Sequence, residues 1–115
     1  MNLNTSLSGI NFENPLMPAS GPLVGDSEKM KIISDFGVGG IVTKTISSKG
    51  AEVVRPCIFG GQDFVMNAEL WSEYDPQIWI DKFLPEIKEG IDKPLFISVG
   101  YSKDDMKTLI PKLDK

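Results

Sequence analysis

The chain has 115 residues, of which 41% are hydrophobic and 24% charged, a composition typical of one globular domain. Its net charge of −4 comes without a basic cluster and with Arg55 as the sole arginine, which argues against nucleic acid as a partner. One cysteine and no histidine exclude an internal disulfide and leave no expected metal site. With no signal core and no apolar run near the ~20 residues of a membrane span, we expect a cytoplasmic protein without membrane contact.

The first residues predict a small hairpin that leads into a loop of small side chains. Residues 3–7 and 10–12 alternate in polarity around the turn Ser8-Gly9. Residues 16–19 follow Pro15, contain Pro18 and are interpreted as a short strand that delivers Ala19-Ser20-Gly21 to a loop. Small residues let a backbone approach a ligand closely, although an ordinary turn uses the same residues.

Three helices are predicted from capping residues and apolar spacing. The first starts after the N-cap Asp26, presents Met30, Ile33 and Phe36 on its apolar face, and stops at Gly37. The second runs from Asp75-Pro76 to Gly90, and its internal Pro85 should kink or restart it. The third begins with a capping box formed by Ser102 and Asp105 and has Pro111 inside its pattern.

A lysine at the end of an apolar run is the first candidate for chemistry. Residues 40–45 are apolar, β-branched and preceded by glycines, which predicts a strand buried on both faces as in parallel sheets. A charge in such a strand must be paired or must sit at its open end, because an unpaired buried charge costs several kcal/mol. Lys44 is therefore a candidate catalytic residue, and the alternative is a lysine that merely reaches solvent. Residues 95–99 predict a second buried strand.

The predicted order is a hairpin followed by strand and helix three times, which indicates a parallel α/β sheet. Three strands cannot close a barrel, so we interpret residues 1–115 as a truncated piece of a larger sheet. Ligands in such sheets bind at the carboxyl ends of the strands, where Ala19-Ser20-Gly21, Lys44-Thr45 and Gly100 should converge.

The long loop over residues 46–65 leads to an amide and a carboxylate that could lie above those strand ends. Asn67 and Glu69 fall on one side of a locally extended segment and could together recognise the donors and acceptors of a planar heterocycle. A solvated turn is the alternative for this pair. Cys57 is interpreted as a packing thiol, because free cysteines are mostly small buried hydrophobes.

Taken together, these residues resemble the dihydroorotate dehydrogenase family of FMN-containing (β/α)8 barrels. The resemblance rests on the order and spacing of Asn14-Pro15, Ala19-Ser20-Gly21, Lys44-Thr45 and Asn67, and it covers essentially the whole chain. It implies the hairpin plus about three βα units of a TIM barrel, truncated after the third unit, within an FMN-dependent oxidoreductase. It also implies oxidation of dihydroorotate to orotate in pyrimidine biosynthesis.

The resemblance also assigns roles to the candidate residues. Positions matching Ala19, Ser20, Lys44 and Thr45 contact FMN in the family, and we include Gly21 in the same cofactor-binding loop. Positions matching Lys44 and Asn67 also contact the pyrimidine. The catalytic base, a cysteine in the cytosolic class, would lie beyond Lys115. A homo-oligomer is expected, and an electron-transfer partner is compatible with this class of enzyme.

The sequence departs from the family after Asn67. The run Asn67-Ala68-Glu69-Leu70-Trp71-Ser72-Glu73 resembles the uracil-site loop in the pyrimidine-binding domain of dihydropyrimidine dehydrogenase. Glu69 would repel the carboxylate of orotate and could accept a hydrogen bond from a neutral pyrimidine. Oxidation of dihydrouracil or dihydrothymine is therefore the closest alternative. Outside flavin chemistry, the alternatives are a Schiff-base barrel enzyme that uses Lys44 as nucleophile and a non-catalytic binding module.

Overall fold

A computed structural model describes residues 2–114 as a mixed α/β chain. Short strands and helices alternate along it without forming one continuous sheet. The strands are β1 (Thr5–Leu7), β2 (Ile10–Phe12), β3 (Ile41–Val42), β4 (Ile58–Gly60), β5 (Val65–Asn67) and β6 (Leu95–Phe96). The helices are α1 (Ser27–Asp35), α2 (Pro76–Ile78), α3 (Leu84–Gly90) and α4 (Lys103–Leu113).

The amino-terminal hairpin is confirmed, whereas the strand predicted after it is wrong. Strands β1 and β2 pair antiparallel around Ser8 and Gly9, which have φ angles of 53° and 81°. Residues 16–19 adopt no regular structure, and the Leu16 carbonyl accepts a single hydrogen bond from the Gly39 N–H at 2.9 Å. The prolines in this segment lack the N–H donors that a strand ladder needs, which explains the difference.

Helix α1 begins and ends where the sequence predicts, but one of its predicted core residues is wrong. The Asp26 carboxylate accepts the Lys29 N–H at 2.9 Å, and Gly37 follows the helix with φ 78°. Met30 is fully buried, whereas the Phe36 side chain is 80% exposed. Phe36 is the C-cap residue, so its side chain has already left the face that packs on the core.

The predicted kink at Pro85 is realised as a π-helical segment. Residues Trp79–Phe83 form this segment between α2 and α3, and the Leu84 N–H bonds to the Trp79 carbonyl five residues back. The wider turn accommodates the proline ring, which would clash with a carbonyl in a regular α-helix. Pro111 lies inside α4, which nonetheless continues to Leu113.

The core forms where these helices pack against the first parallel strand. Helices α1 and α3 contact each other, and Trp79 makes edge-on contacts with Phe83 at 5.2 Å between ring centroids. The buried cluster consists of Val24, Met30, Ile41, Ile46, Trp79, Phe83, Leu84 and Ile87. Ile41 lies in β3 and Ile46 lies just beyond it, so the core fixes the chain on both sides of Lys44.

The parallel sheet is smaller than predicted. Strands β3 and β6 pair in parallel, and one further bridge joins Ile46 to Val99. The ladder is interrupted between these points because the Thr43 hydroxyl accepts the Ser98 N–H at 3.0 Å. The Lys44 N–H is also diverted, since it bonds to the Val24 carbonyl at 2.9 Å. The prediction of strand and helix three times is therefore wrong in its first strand and in the lengths of the other two.

The loop between β3 and α2 contains a second antiparallel hairpin, β4–β5. Its exposed apolar residues, together with those on the flanking loops, are Val54, Ile58, Phe59, Phe64, Val65, Met66 and Leu70. Within residues 2–114, no helix is both long and apolar enough to cross a membrane.

Candidate functional site

Hydroxyl groups link the small-residue loop to both parallel strands. The Ser20 hydroxyl donates to the Thr43 carbonyl at 2.7 Å, and its oxygen lies 3.0 Å from the Thr45 hydroxyl. Thr45 in turn lies 3.0 Å from the Ser98 hydroxyl. The carboxyl ends of β3 and β6 and the Ala19-Ser20-Gly21 loop therefore meet at one place, as predicted.

The direction of these hydrogen bonds follows from the number of protons available. A hydroxyl carries one proton and two acceptor lone pairs. Because Ser20 commits its proton to a carbonyl, Thr45 must donate to Ser20, and Ser98 must donate to Thr45. Ser98 is thereby left as an acceptor at the open end of the chain.

Lys44 is buried and forms an ion pair. Its ammonium Nζ lies 3.1 Å from the Glu69 carboxylate oxygen Oε1, and both side chains are 9% exposed. The alternative of a lysine that reaches solvent is therefore wrong. Glu69 is thus the partner that a buried ammonium requires. Removing one member of a buried pair typically costs about 3–5 kcal/mol, because the other charge is left unpaired. An ammonium has three donors, so Lys44 keeps hydrogen-bonding capacity beyond Glu69.

Asn67 and Glu69 have different environments, although the sequence placed them on one side. The Asn67 side chain is exposed, and its amide oxygen accepts the Glu69 N–H at 2.9 Å. That turn directs the chain at the end of β5 so that the Glu69 carboxylate reaches Lys44. The solvated-turn alternative therefore describes Asn67 and fails for Glu69.

The remaining members of the predicted site differ in how closely they approach Lys44. Ala19 and Ser20 are exposed, and Gly21 is partly buried in an open setting. Gly25 packs closer, because a Cβ there would lie 3.7 Å from the Lys44 Cδ. The absence of a side chain at Gly25 thus leaves space for the aliphatic part of Lys44.

Sequence reasoning missed Ser98 and Trp71. A signal existed for Ser98, since it is a polar residue within an apolar strand, as Lys44 is. Trp71 carried no such signal. Its ring lies over Gly100, where a Cβ would come within 2.5 Å of the Trp71 Cζ3 atom, and it contacts Tyr101 at 4.6 Å between ring centroids.

Within residues 2–114, hydrogen bonds shift the pKa values of Asp105 and Lys29. Hydrogen bonds from Ser102, and then from Ser48, hold the pKa of the Asp105 carboxyl below its ordinary value of 3.8. The hydrogen bond between Lys29 and Asp26 raises the pKa of Lys29 above its ordinary value. Both groups belong to helix caps, so these shifts reflect local structure near the start of α4 and α1.

Cys57 contacts the segment that bears Glu69 through its backbone, since its carbonyl accepts the Ala68 N–H at 2.7 Å. It is buried, and the Arg55 Nη1 lies 3.6 Å from its sulfur. Its burial agrees with the interpretation as a packing thiol. Among residues 2–114, no group of three or more His, Cys, Asp or Glu residues could hold a metal ion.

Comparison with known proteins adds two relatives, although no family model matches the chain. The chain is 29% identical to the catalytic subunit of dihydroorotate dehydrogenase B (NAD(+)) from Pyrococcus furiosus, with 100% of this chain and 38% of the relative aligned. It is 31% identical to the same subunit from Pyrococcus horikoshii, with 97% of this chain and 37% of the relative aligned. The chain thus spans well under half the length of the curated relatives that it matches.

Proposed function

We propose that this chain is part of an FMN-dependent oxidoreductase of the dihydroorotate dehydrogenase type, which oxidises dihydroorotate to orotate in pyrimidine biosynthesis. Similarity to two dihydroorotate dehydrogenase B catalytic subunits along the whole chain supports the reaction class. The observation that carries the proposal is the buried Lys44 at the carboxyl end of a parallel strand. Ligand sites of α/β proteins form at such strand ends.

The residues present fit the ring of a flavin. An isoalloxazine offers carbonyl oxygens and ring nitrogens along one edge, which require donors and acceptors at fixed positions. Lys44 supplies donors, and Ser98 supplies an acceptor at the open end of the hydroxyl chain. The small Ala19-Ser20-Gly21 loop lets backbone groups approach a planar ring closely. When bound, FMN would supply the hydride acceptor for the oxidation.

Each residue of the site then has a distinct role. Lys44 places a fixed positive charge where negative charge develops on the cofactor, a form of preorganised stabilisation. Thr45 and Ser20 hold the strand end and the small-residue loop together through their hydroxyl contact. Asn67, exposed at the end of β5, would meet the pyrimidine, with Lys44 contacting both ring systems.

The rest of the proposed enzyme would surround this site. We propose that residues 1–115 are the amino-terminal part of a (β/α)8 barrel, so that most of the eight strands lie outside them. Those strands would supply the catalytic base and the binding site for the FMN phosphate. The 115-residue chain alone should therefore show no turnover. A cytoplasmic homo-oligomer with an electron-transfer partner completes the proposal.

A second candidate is a dehydrogenase of a neutral pyrimidine such as dihydrouracil or dihydrothymine. The Lys44–Glu69 ion pair favours it, because the pair is neutral overall and both side chains are buried. An added orotate carboxylate would compete with Glu69 for the same cation, whereas a neutral ring would not. Glu69 could instead accept an N–H of the ring.

The decisive experiment compares ligands on the full-length oxidised flavoprotein. Titration with orotate and with uracil, followed by the flavin absorption spectrum, should give saturable changes with at least one of them. Tight orotate binding by the wild type would defeat the neutral-pyrimidine candidate. Borohydride trapping of an aldehyde or substrate on Lys44, in a protein without flavin, would instead support the Schiff-base alternative.

A further inference from the structure

Trp71 lies two residues after Glu69 and packs against the end of the neighbouring strand. Its indole ring covers Gly100, directly after the Ile46–Val99 bridge, and contacts Tyr101. A Cβ at Gly100 would lie 2.5 Å from the ring and 2.7 Å from the Thr45 methyl group. The absence of a side chain at Gly100 is therefore what allows Trp71 to approach the segment that follows Lys44.

Burial alone does not account for this contact. Trp71 is 48% exposed and Tyr101 is 64% exposed, so the pair removes little apolar surface from water. Tyr101 also has a φ of 100°, a conformation that typically costs a non-glycine residue about 1–3 kcal/mol. A strained residue beside an exposed aromatic contact, at the strand end that carries the site, indicates a role in the site's geometry.

The segment that bears Glu69 is fixed at both ends by backbone contacts. At one end the Ala68 N–H bonds to the Cys57 carbonyl at 2.7 Å. At the other end the buried Ser72 accepts the Ala51 N–H through its carbonyl at 2.6 Å. Between these points, the Glu69 and Trp71 side chains reach the ends of different strands, so the position of one constrains the other.

We infer that Trp71 is a positioning residue that holds the Glu69 carboxylate on Lys44 by packing on Gly100 and Tyr101. It thereby sets the charge that the strand-end site presents to a ligand. Moving the ring off Gly100 releases Glu69 and leaves a less compensated cation. The consequence of this inference for the choice of pyrimidine rests on the proposed function. The effect of Trp71 on the Lys44–Glu69 pair does not.

The structure leaves room for such a movement. A cleft of about 260 Å³ borders both aromatic rings and is lined by Ser47, Lys49, Trp71, Tyr101 and Asp105 among others. Gly100 does not have a positive φ, so alanine is compatible with its backbone. The effect of Gly100→Ala should therefore come from the contacts that its methyl group makes with Trp71 and Thr45.

The test measures the reactivity of Lys44 in the full-length protein. Reductive methylation with formaldehyde and cyanoborohydride, quantified by mass spectrometry of the Lys44 peptide, reports how well Glu69 covers the amine. Trp71→Ala and Glu69→Gln should each raise the Lys44 labelling rate severalfold. In the double variant, Lys44 should be labelled no faster than in either single variant. Trp71→Phe should stay near the wild-type rate, because an aromatic ring still covers Gly100.

Internal controls separate positioning from loss of folding. Lys93, paired with Glu13 and 16% exposed at its side chain, should label at an unchanged rate in every variant. Phe36→Ala removes another exposed aromatic side chain and should leave Lys44 labelling unaltered. If Trp71→Ala does not fold, Gly100→Ala provides the same test with the indole present. The inference would be overturned if Lys44 were labelled at the wild-type rate in whichever of these variants folds. It would also be overturned if the increases of the two single variants multiplied in the double variant.

Ligand affinity provides the second measurement. Trp71→Ala should shift the ratio of orotate to uracil affinity toward orotate, in the same direction as Glu69→Gln, whereas a merely structural role would weaken both ligands alike. If the wild type binds neither ligand, the proposed function fails, and Lys44 labelling still decides whether Trp71 positions Glu69. If the ratio does not move while both ligands bind, the positioning role in ligand choice is wrong.

Discussion

The strand ends around Lys44 bury polar side chains, whereas the β4–β5 hairpin exposes apolar side chains. At the strand ends, Lys44, Thr43 and Ser47 are buried, and their polar atoms have partners. On the hairpin, Phe59, Val65 and other apolar side chains face solvent. Buried polar groups that have partners specify geometry, whereas solvent-exposed apolar side chains do not. The first region therefore has the character of a site, and the second does not.

The largest expected difference between the two regions is in stability. Ile46→Ala removes a fully buried side chain next to the site and should lower the free energy of unfolding by roughly 2–5 kcal/mol. Val65→Ala on the hairpin, at 77% exposure, should change it by less than about 0.5 kcal/mol. Denaturant unfolding of the full-length protein measures both. A comparable loss for Val65→Ala would show that the hairpin is covered in the complete protein.

The next largest effect is expected for Lys44→Ala. Removing a preorganised charge should slow flavin reduction by about a hundredfold or more, near 3 kcal/mol of barrier, and weaken FMN binding. Lys44→Arg should recover only part of this, because a guanidinium is wider and differently hydrated. Stopped-flow reduction and flavin fluorescence provide the measurements.

Lys107→Ala is the matched control for this prediction. Lys107 pairs with Asp104 at 3.3 Å on the exposed face of α4, where ion pairs contribute about 0–1 kcal/mol. Flavin reduction in the Lys107→Ala variant should be as fast as in the wild type. Unchanged kinetics in Lys44→Ala would remove Lys44 from the mechanism.

A smaller effect is expected for Glu69→Gln, which separates the two substrate candidates. Without the carboxylate, orotate should bind about tenfold more tightly, since a like charge no longer competes for Lys44. Uracil should bind with similar or lower affinity, because the amide can still accept a hydrogen bond. Isothermal titration of the full-length variant measures both. An orotate affinity equal to that of the wild type would mean that Glu69 does not face the ligand.

The smallest effect is expected from the cap of α4. Because the pKa of Asp105 lies below its ordinary value of 3.8 in the folded chain, its contribution to stability is present above that value. This contribution is lost as the pH falls further, through the folded pKa. Asp105→Asn should therefore make stability less dependent on pH in the acid range, as measured by thermal unfolding at a series of pH values. An unchanged acid dependence would show that the cap contributes little.

Local sequence signals predicted the helix boundaries well. Asp26, Gly90 and the box of Ser102 with Asp105 act through neighbours a few residues away, so their effects can be deduced without the tertiary structure. The strands were predicted less well. Residues 16–19 form no strand ladder, because proline lacks the N–H donor that a ladder needs. The parallel pair is short because the Ser98 N–H bonds to the Thr43 hydroxyl instead of a backbone carbonyl.

The candidate site was predictable only in part. The pattern around residues 40–45 identified Lys44 because a charge in an apolar strand must have a partner. The partner itself could not be deduced from the sequence, since Glu69 reaches Lys44 only through the fold of the β4–β5 hairpin. Trp71 was missed for a similar reason, because its importance depends on a glycine distant in sequence.

Anaerobic reduction of the purified full-length protein tests most directly whether the strand ends around Lys44 form a pyrimidine-oxidising site. The purified protein should contain FMN, and dihydroorotate or dihydrouracil should bleach its visible absorption. The same addition to Lys44→Ala, reconstituted with FMN, should bleach it about a hundredfold more slowly or not at all. A protein that binds no flavin, or a flavin that neither dihydropyrimidine reduces, would contradict the assignment.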